Sequence, residues 1–259
     1  MFKKRIKNLY LQRRILWDIA VKQLKAKYAG SVLGVWLAII NPLLVMLAVT
    51  FVFNVIFKLE IENFFLFALA GIFPWLFSSN ALCEAAASIV NQQNILRQFN
   101  LPREIIPLSS ILANFLNFII SWCVIYPLFL FFNSKIIILL PLLAVILVLN
   151  FFFICGVGLV LSVLNVFFRD LSHLIGTLLM FWFWVTPVFY SLNMVPEKFR
   201  WIYNFNPMAP FIAGYRSVIY AGHLPGFFIF ISMFFWVVLS LGSALIFFSY
   251  AESKLLKRI

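Results

Sequence analysis

Long apolar runs, uncharged except for Glu84 and separated by short polar segments, dominate the chain. They lie near Leu33 to Phe57, Phe64 to Val90, Pro107 to Phe132, Ile136 to Phe167, Leu171 to Tyr190 and Phe227 to Tyr250. Each reaches the roughly 20 apolar residues that an α-helix needs to cross the hydrocarbon of a bilayer. The pattern predicts an all-α, polytopic transmembrane bundle of six spans. Six spans use about 120 residues, so 259 residues make a single domain. Residues 33–250 form the bundle, 1–32 a basic leading segment and 251–259 a tail, with no internal repeat or linker.

Three segments break this pattern. From Asn8 to Tyr28 the periodicity is helical, with Leu9, Leu16, Trp17, Ala20, Val21, Leu24 and Tyr28 on one arc and Arg14, Asp18, Lys22 and Lys25 opposite, as in an amphipathic helix lying in the membrane interface. It either anchors the domain or handles an anionic lipid, and Arg13 and Lys27, which intrude on the apolar arc, favour the second reading. From Ser191 to Gly226, Pro196, Pro207, Pro210 and Pro225 alternate with Trp201, Tyr203, Phe205 and Phe211. That segment is too apolar for a solvated loop and too broken for a span, so it predicts short helices that re-enter the bilayer before the last span. The segment NQQNILRQFNLPREIIP, Asn91 to Pro107, reads as a short helix broken before Pro102. It is either a docking element for a soluble partner or an ordinary polar connection.

Composition supports the membrane reading: 64% of residues are hydrophobic, 11% are charged and the mean hydropathy is +1.05, against roughly 25% charged in soluble domains. The net charge of +12 would suggest nucleic acid in a soluble protein, but here it reports topology and implies no nucleic-acid partner. Placing both termini in the cytoplasm puts fifteen of the twenty lysines and arginines there, as positively charged flanks require. The expected location is therefore the cytoplasmic membrane, with the first span as an uncleaved insertion signal. Cys83, Cys123 and Cys155 stand singly in apolar runs, which suggests packing rather than disulfides or zinc.

Several chemistries are excluded or weakly supported. No stretch matches G-x-x-x-x-G-K-[ST], so the chain has no P-loop of its own, and neither H-E-x-x-H nor G-x-S-x-G occurs. No catalytic residue, metal site or bound cofactor is expected. Ion coupling needs several ionisable groups at depth, and only Glu84 qualifies, either as a structural partner for a helix end or at a cytoplasmic gate. Trp36, Trp182, Trp184 and Tyr190 either anchor at the interface or offer flat faces on which sugar rings slide.

Residues Ala26 to Leu43, AKYAGSVLGVWLAIINPL, resemble the membrane subunits of ABC-type polysaccharide exporters, which carry lipid-linked O-antigen, capsular polysaccharide or teichoic acid. The family's [RK]-Y-x-x-S-x-L-G-x-x-W segment is matched by Lys27, Tyr28, Ser31, Leu33, Gly34 and, one place early, Trp36, followed by Pro42. NLPREIIPLSSIL from Asn100, VFFRDL from Val166 and NPMAPFIAGYR from Asn206 are similar to the family's coupling loop, the turn between its fourth and fifth spans, and its re-entrant region. The likeness covers nearly the whole chain in the right order.

The resemblance implies a bacterial inner-membrane homodimer enclosing a pore, driven by two copies of a separate ATPase subunit that uses ATP and Mg. It implies a lipid-linked polysaccharide as substrate, drawn in at Lys25, Lys27, Tyr28 and Arg169. Trp36, Trp182, Trp184 and Tyr190 are then expected to line the pore, with coupling to the ATPase through Asn94, Arg97, Phe99, Arg103 and Glu104. The rival expectations are an ABC exporter of a smaller substrate, an ion-coupled lipid-oligosaccharide flippase and an intramembrane transferase.

Overall fold

The computed structural model describes residues 2–29, 36–56, 58, 61–98, 101–132 and 134–258. Among these residues the architecture is helical, with no strand. Two helices lead the chain, α1 (Phe2–Leu11) and α2 (Arg13–Tyr28), followed by α3 (Leu37–Thr50), which runs on into a π-helical turn over Phe51–Ile56. Then come α4 (Phe64–Asn91), the short α5 (Gln93–Gln98), α6 (Ile105–Phe132), α7 (Leu140–Phe167) and α8 (Leu171–Val185). Two short helices, α9 (Glu197–Asn204) and α10 (Ala209–Ile219), precede the long α11 (Phe227–Arg258).

Helix α4 is the axis of the domain. It is buried along most of its length, from Phe64 to Ile89, and packs against α6, α7 and α10. Helix α11 lies along α7, and α2 lies on α6. The outward face of α11 presents Phe228, Phe234, Phe235, Val238 and Ile246, an apolar surface that only lipid or another apolar face can satisfy.

Helices α4, α6, α7 and α11 are each long and apolar enough to cross a membrane. Their bounds follow the apolar runs closely, because in lipid the helix is the one local structure that satisfies every backbone polar group within its own segment. The first and fifth runs form shorter apolar helices. The fifth was expected to continue to Tyr190, but α8 has only 15 residues, about 22 Å at the α-helical rise. It ends because Pro187 follows Thr186: the ring disfavours helical backbone at the preceding residue, and Thr186 is extended, with ψ 135°. Helix α11 runs on through the residues expected to form a separate tail, as far as Arg258.

Helices α7 and α11 approach each other closely at Gly156. A Cβ at that position would overlap the backbone of Ser240 and lie 2.7 Å from the amide nitrogen of Leu241. Gly156→Ala should therefore force the two helices apart and destabilise the protein by about 1–3 kcal/mol. Gly176→Ala, where a Cβ meets open space, should not. Thermal unfolding in detergent compares the two, and equal midpoints would refute the close approach.

Candidate functional site

Two polar constellations sit at opposite ends of α4. The first docks α2 on the bundle. Gln23 and Lys27, one helical turn apart on α2, face a polar stripe on α6 made by Ser110, Asn114, Asn117 and Ser121, whose spacing of four, three and four residues puts them on one face. Lys27 Nζ lies 2.8 Å from Glu84 Oε1 on α4 and donates to Asn114 Oδ1 at 2.7 Å. The Asn114 amide donates to Glu84 Oε2 at 2.7 Å and to the Ser110 carbonyl at 2.9 Å. Lys27, Glu84 and Asn114 thus form a closed triangle in which each side chain bonds the other two. One turn away the Tyr28 hydroxyl donates to Asn117 Oδ1, and Gln23 Nε2 reaches Ser109 Oγ at 3.5 Å. Burial raises the Tyr28 pKa above its ordinary value, with the bond to Asn117 opposing it, so the phenol stays a neutral donor.

The triangle gives Glu84 its partners. A carboxylate in an apolar bundle needs a counter-ion or donors from the protein, and Glu84 has both. Lys27 and Tyr28 are engaged within the protein, while Lys25 is exposed at the end of α2. Arg169 is exposed in the turn between α7 and α8, where its carbonyl accepts from Ser172 Oγ. No described hydrogen bond or ion pair ties it to α2.

The second constellation holds the chain where α8 ends. Arg216 on α10 donates from Nη1 to the Tyr190 carbonyl at 3.1 Å and from Nη2 to the Val188 carbonyl. Its guanidinium stacks 3.6 Å from the ring centroid of Phe67 on α4. Gly71 permits this approach, since a Cβ there would lie 2.7 Å from the Val188 carbonyl oxygen. Asn206 accepts from Trp182 Nε1 and the Met208 amide, both at 3.0 Å, and donates to Thr186 Oγ1 at 3.0 Å and the Val185 carbonyl at 3.3 Å. Tyr220 closes this end by donating to the Glu62 carbonyl at 2.6 Å. Around the break after α8, the carbonyls of Val185, Val188 and Tyr190 thus accept from protein side chains, the kind of pairing that irregular backbone in lipid requires.

The four aromatic candidates are not brought together. Trp182 turns inward, edge-on to Trp75 at 5.6 Å, whereas Trp184, two residues on, faces outward. Tyr190 donates to the Trp184 carbonyl at 3.0 Å and pairs with the Tyr203 hydroxyl at 2.9 Å. Trp36 is exposed at the start of α3. Of the coupling candidates, Asn94 and Arg97 fall on α5, where Asn94 is exposed, Arg103 and Glu104 occupy the half-buried turn before α6, and Phe99 lies outside the described residues, as do Ser31, Leu33 and Gly34.

Sequence reasoning overlooked Asn114 and Asn117, and it placed Asn206 in the NPMAPFIAGYR segment without its hydrogen bonds. The signal was present for the first two, since amides inside an apolar run are costly unless they have partners. Arg216 was read as a charge to be placed on one side of the membrane and as the last residue of the NPMAPFIAGYR segment, not as the clamp on residues 188–190.

A family described as ABC-2 type transporter matches residues 15–220. The chain is 33% identical over 234 residues to an O-antigen export system permease protein RfbA of Klebsiella pneumoniae, covering 87% of this chain and 89% of that protein. A protein of the same name from Myxococcus xanthus is 29% identical over 222 residues, 85% of each chain.

Because a lysine presents no planar fork to two carbonyls, Arg216→Lys should lose at least one of its bonds and destabilise the fold by about 1–3 kcal/mol. Limited proteolysis should then cut faster within residues 186–196, and an unchanged rate would remove Arg216 from its clamping role.

Proposed function

The chain belongs to the ABC-2 type transporter family, and from that membership we propose that it is the channel-forming membrane subunit of an ATP-driven exporter that moves a lipid-linked, O-antigen-like polysaccharide across the bacterial inner membrane. The observation that carries this reading is the near full-length likeness to permeases named for O-antigen export. On this reading two copies enclose the pore and two copies of a separate ATPase supply the energy, with ATP and Mg bound there. Each copy crosses the membrane six times, α3 and α8 completing the set begun by α4, α6, α7 and α11, and both termini are cytoplasmic. Helices α9 and α10 then re-enter from the outer face.

Substrate access lies on the cytoplasmic face along α2. Lys25, Lys27 and Arg169 attract the phosphate of the lipid carrier, since cations near an interface concentrate anionic headgroups. Helix α5 with the turn through Arg103 and Glu104 forms the docking element for the ATPase. The half-buried turn joins α5 to α6, so a push on α5 reaches the helix that carries Asn114 and Asn117. Movement of the ATPase would in this way be felt at the surface that holds α2. On this reading Trp36, Trp184 and Tyr190 meet the sugar rings, with Trp182 behind them.

Reversing the charge of the docking element tests the assignment. Arg97→Glu with Arg103→Glu should lower co-purification of the ATPase about tenfold or more, because like charge opposed across an interface weakens association, and cell-surface polysaccharide should fall with it. Full association and export in the double variant would refute the coupling role of α5.

A further inference from the structure

The triangle that docks α2 has a consequence for how substrate is admitted. We propose that Glu84 occupies on Lys27 the place of the substrate's phosphate: the carboxylate is an internal counter-ion that the anionic headgroup displaces, so that substrate binding itself releases α2 from α4. The proposal rests on the assignment of α2 as the access surface and adds to it the identity of the group that guards it.

The donor set already suits a phosphate. Lys27 Nζ lies 2.8 Å from Glu84 Oε1, the length of a charge-assisted bond, so the cation is already set to hold an anionic oxygen. A diphosphate ester offers the same acceptors with more charge and more oxygens, and it binds such donors more strongly than a carboxylate does. The triangle is also reachable, with the Lys27 and Glu84 side chains 25% and 42% exposed. Ion pairs with that access to solvent are weak, so a better anion can replace this one.

Release of α2 from α4 would follow from loss of this pair, while the packing of α2 on α6 stays in place. Beyond the triangle, the Tyr28 hydroxyl donates to Asn117 and Gln23 makes a long bond to Ser109. Glu84 gives α2 its only described ion pair to α4. Once the headgroup takes Lys27, Glu84 keeps its bond to Asn114 and so is not left without a donor.

The complex of the chain with its ATPase, in lipid nanodiscs, is titrated with a polyprenyl diphosphate, with inorganic diphosphate as the headgroup alone and the neutral polyprenol as the tail alone. Lys27→Gln should weaken binding of the polyprenyl diphosphate about tenfold, and Glu84→Gln should tighten it about threefold by removing the competitor. The exchange Lys27→Glu with Glu84→Lys, which keeps the ion pair but reverses it, should bind as poorly as Lys27→Gln. Inorganic diphosphate with the same dependence on Lys27 assigns recognition to the headgroup alone, and binding of only the polyprenyl form assigns it to headgroup and tail together.

Glu84→Gln that leaves binding unchanged or weaker overturns the proposal, while Lys27→Gln that leaves it unchanged overturns the access reading beneath it. Equal binding of the polyprenol excludes phosphate recognition altogether. A second measurement leaves the triangle intact. In a background with Cys83, Cys123 and Cys155 replaced, Gln23→Cys with Ser109→Cys should cross-link about threefold more slowly when the polyprenyl diphosphate is added, as the weak contact one turn from Lys27 loosens. An unchanged rate at saturation also overturns the proposal.

Discussion

A bilayer offers no water to polar groups, so every ionisable side chain and every break in a helix must find its partners within the protein. Both polar constellations of this chain answer that demand, and both are anchored on α4. Gly71 and Phe67 receive the Arg216 clamp near one end of the helix, and Glu84 receives Lys27 near the other. Thirteen residues separate Gly71 from Glu84, about 20 Å along the axis. Helix α4 is buried along most of its length, so what it holds at its two ends is fastened to the core of the domain.

The apolar runs made the long helices readable from the sequence, since a run of the right length in lipid has one outcome. Their ends were readable where an amide, a proline or a charge interrupts the run, as at Asn91 and Phe132. The fifth run misled because Thr186 and Pro187 carry a backbone signal inside an otherwise apolar stretch, and hydropathy weighs Pro187 little. The short helices before the last span were anticipated from their prolines. What holds them was not, because Arg216 is 26 residues from Tyr190 and 28 from Val188.

The docking triangle was out of reach for the same reason. Lys27 and Glu84 could each be singled out, one as a cation intruding on an apolar arc and the other as the lone carboxylate at depth. Their pairing depends on Asn114, 87 residues from the first and 30 from the second, and on α2 folding back over α6. Pair contacts of that separation leave no local trace. Joining the two readings changes the character of both: a cation thought free to receive substrate is already paired, and a carboxylate considered for a gate is the group that pairs it.

On the proposed function, then, the membrane subunit supplies a path and a guarded access surface, while the energy comes from elsewhere. Reconstitution tests that division most directly. The chain is placed in proteoliposomes with and without its ATPase, a lipid-linked O-antigen is incorporated on the ATPase-facing leaflet, and a membrane-impermeant glycosidase reports sugar on the other side. Sugar should become accessible only when both subunits and ATP are present. Sugar delivered by the chain alone under an ion gradient, or none delivered by the complete complex with ATP, would contradict the account.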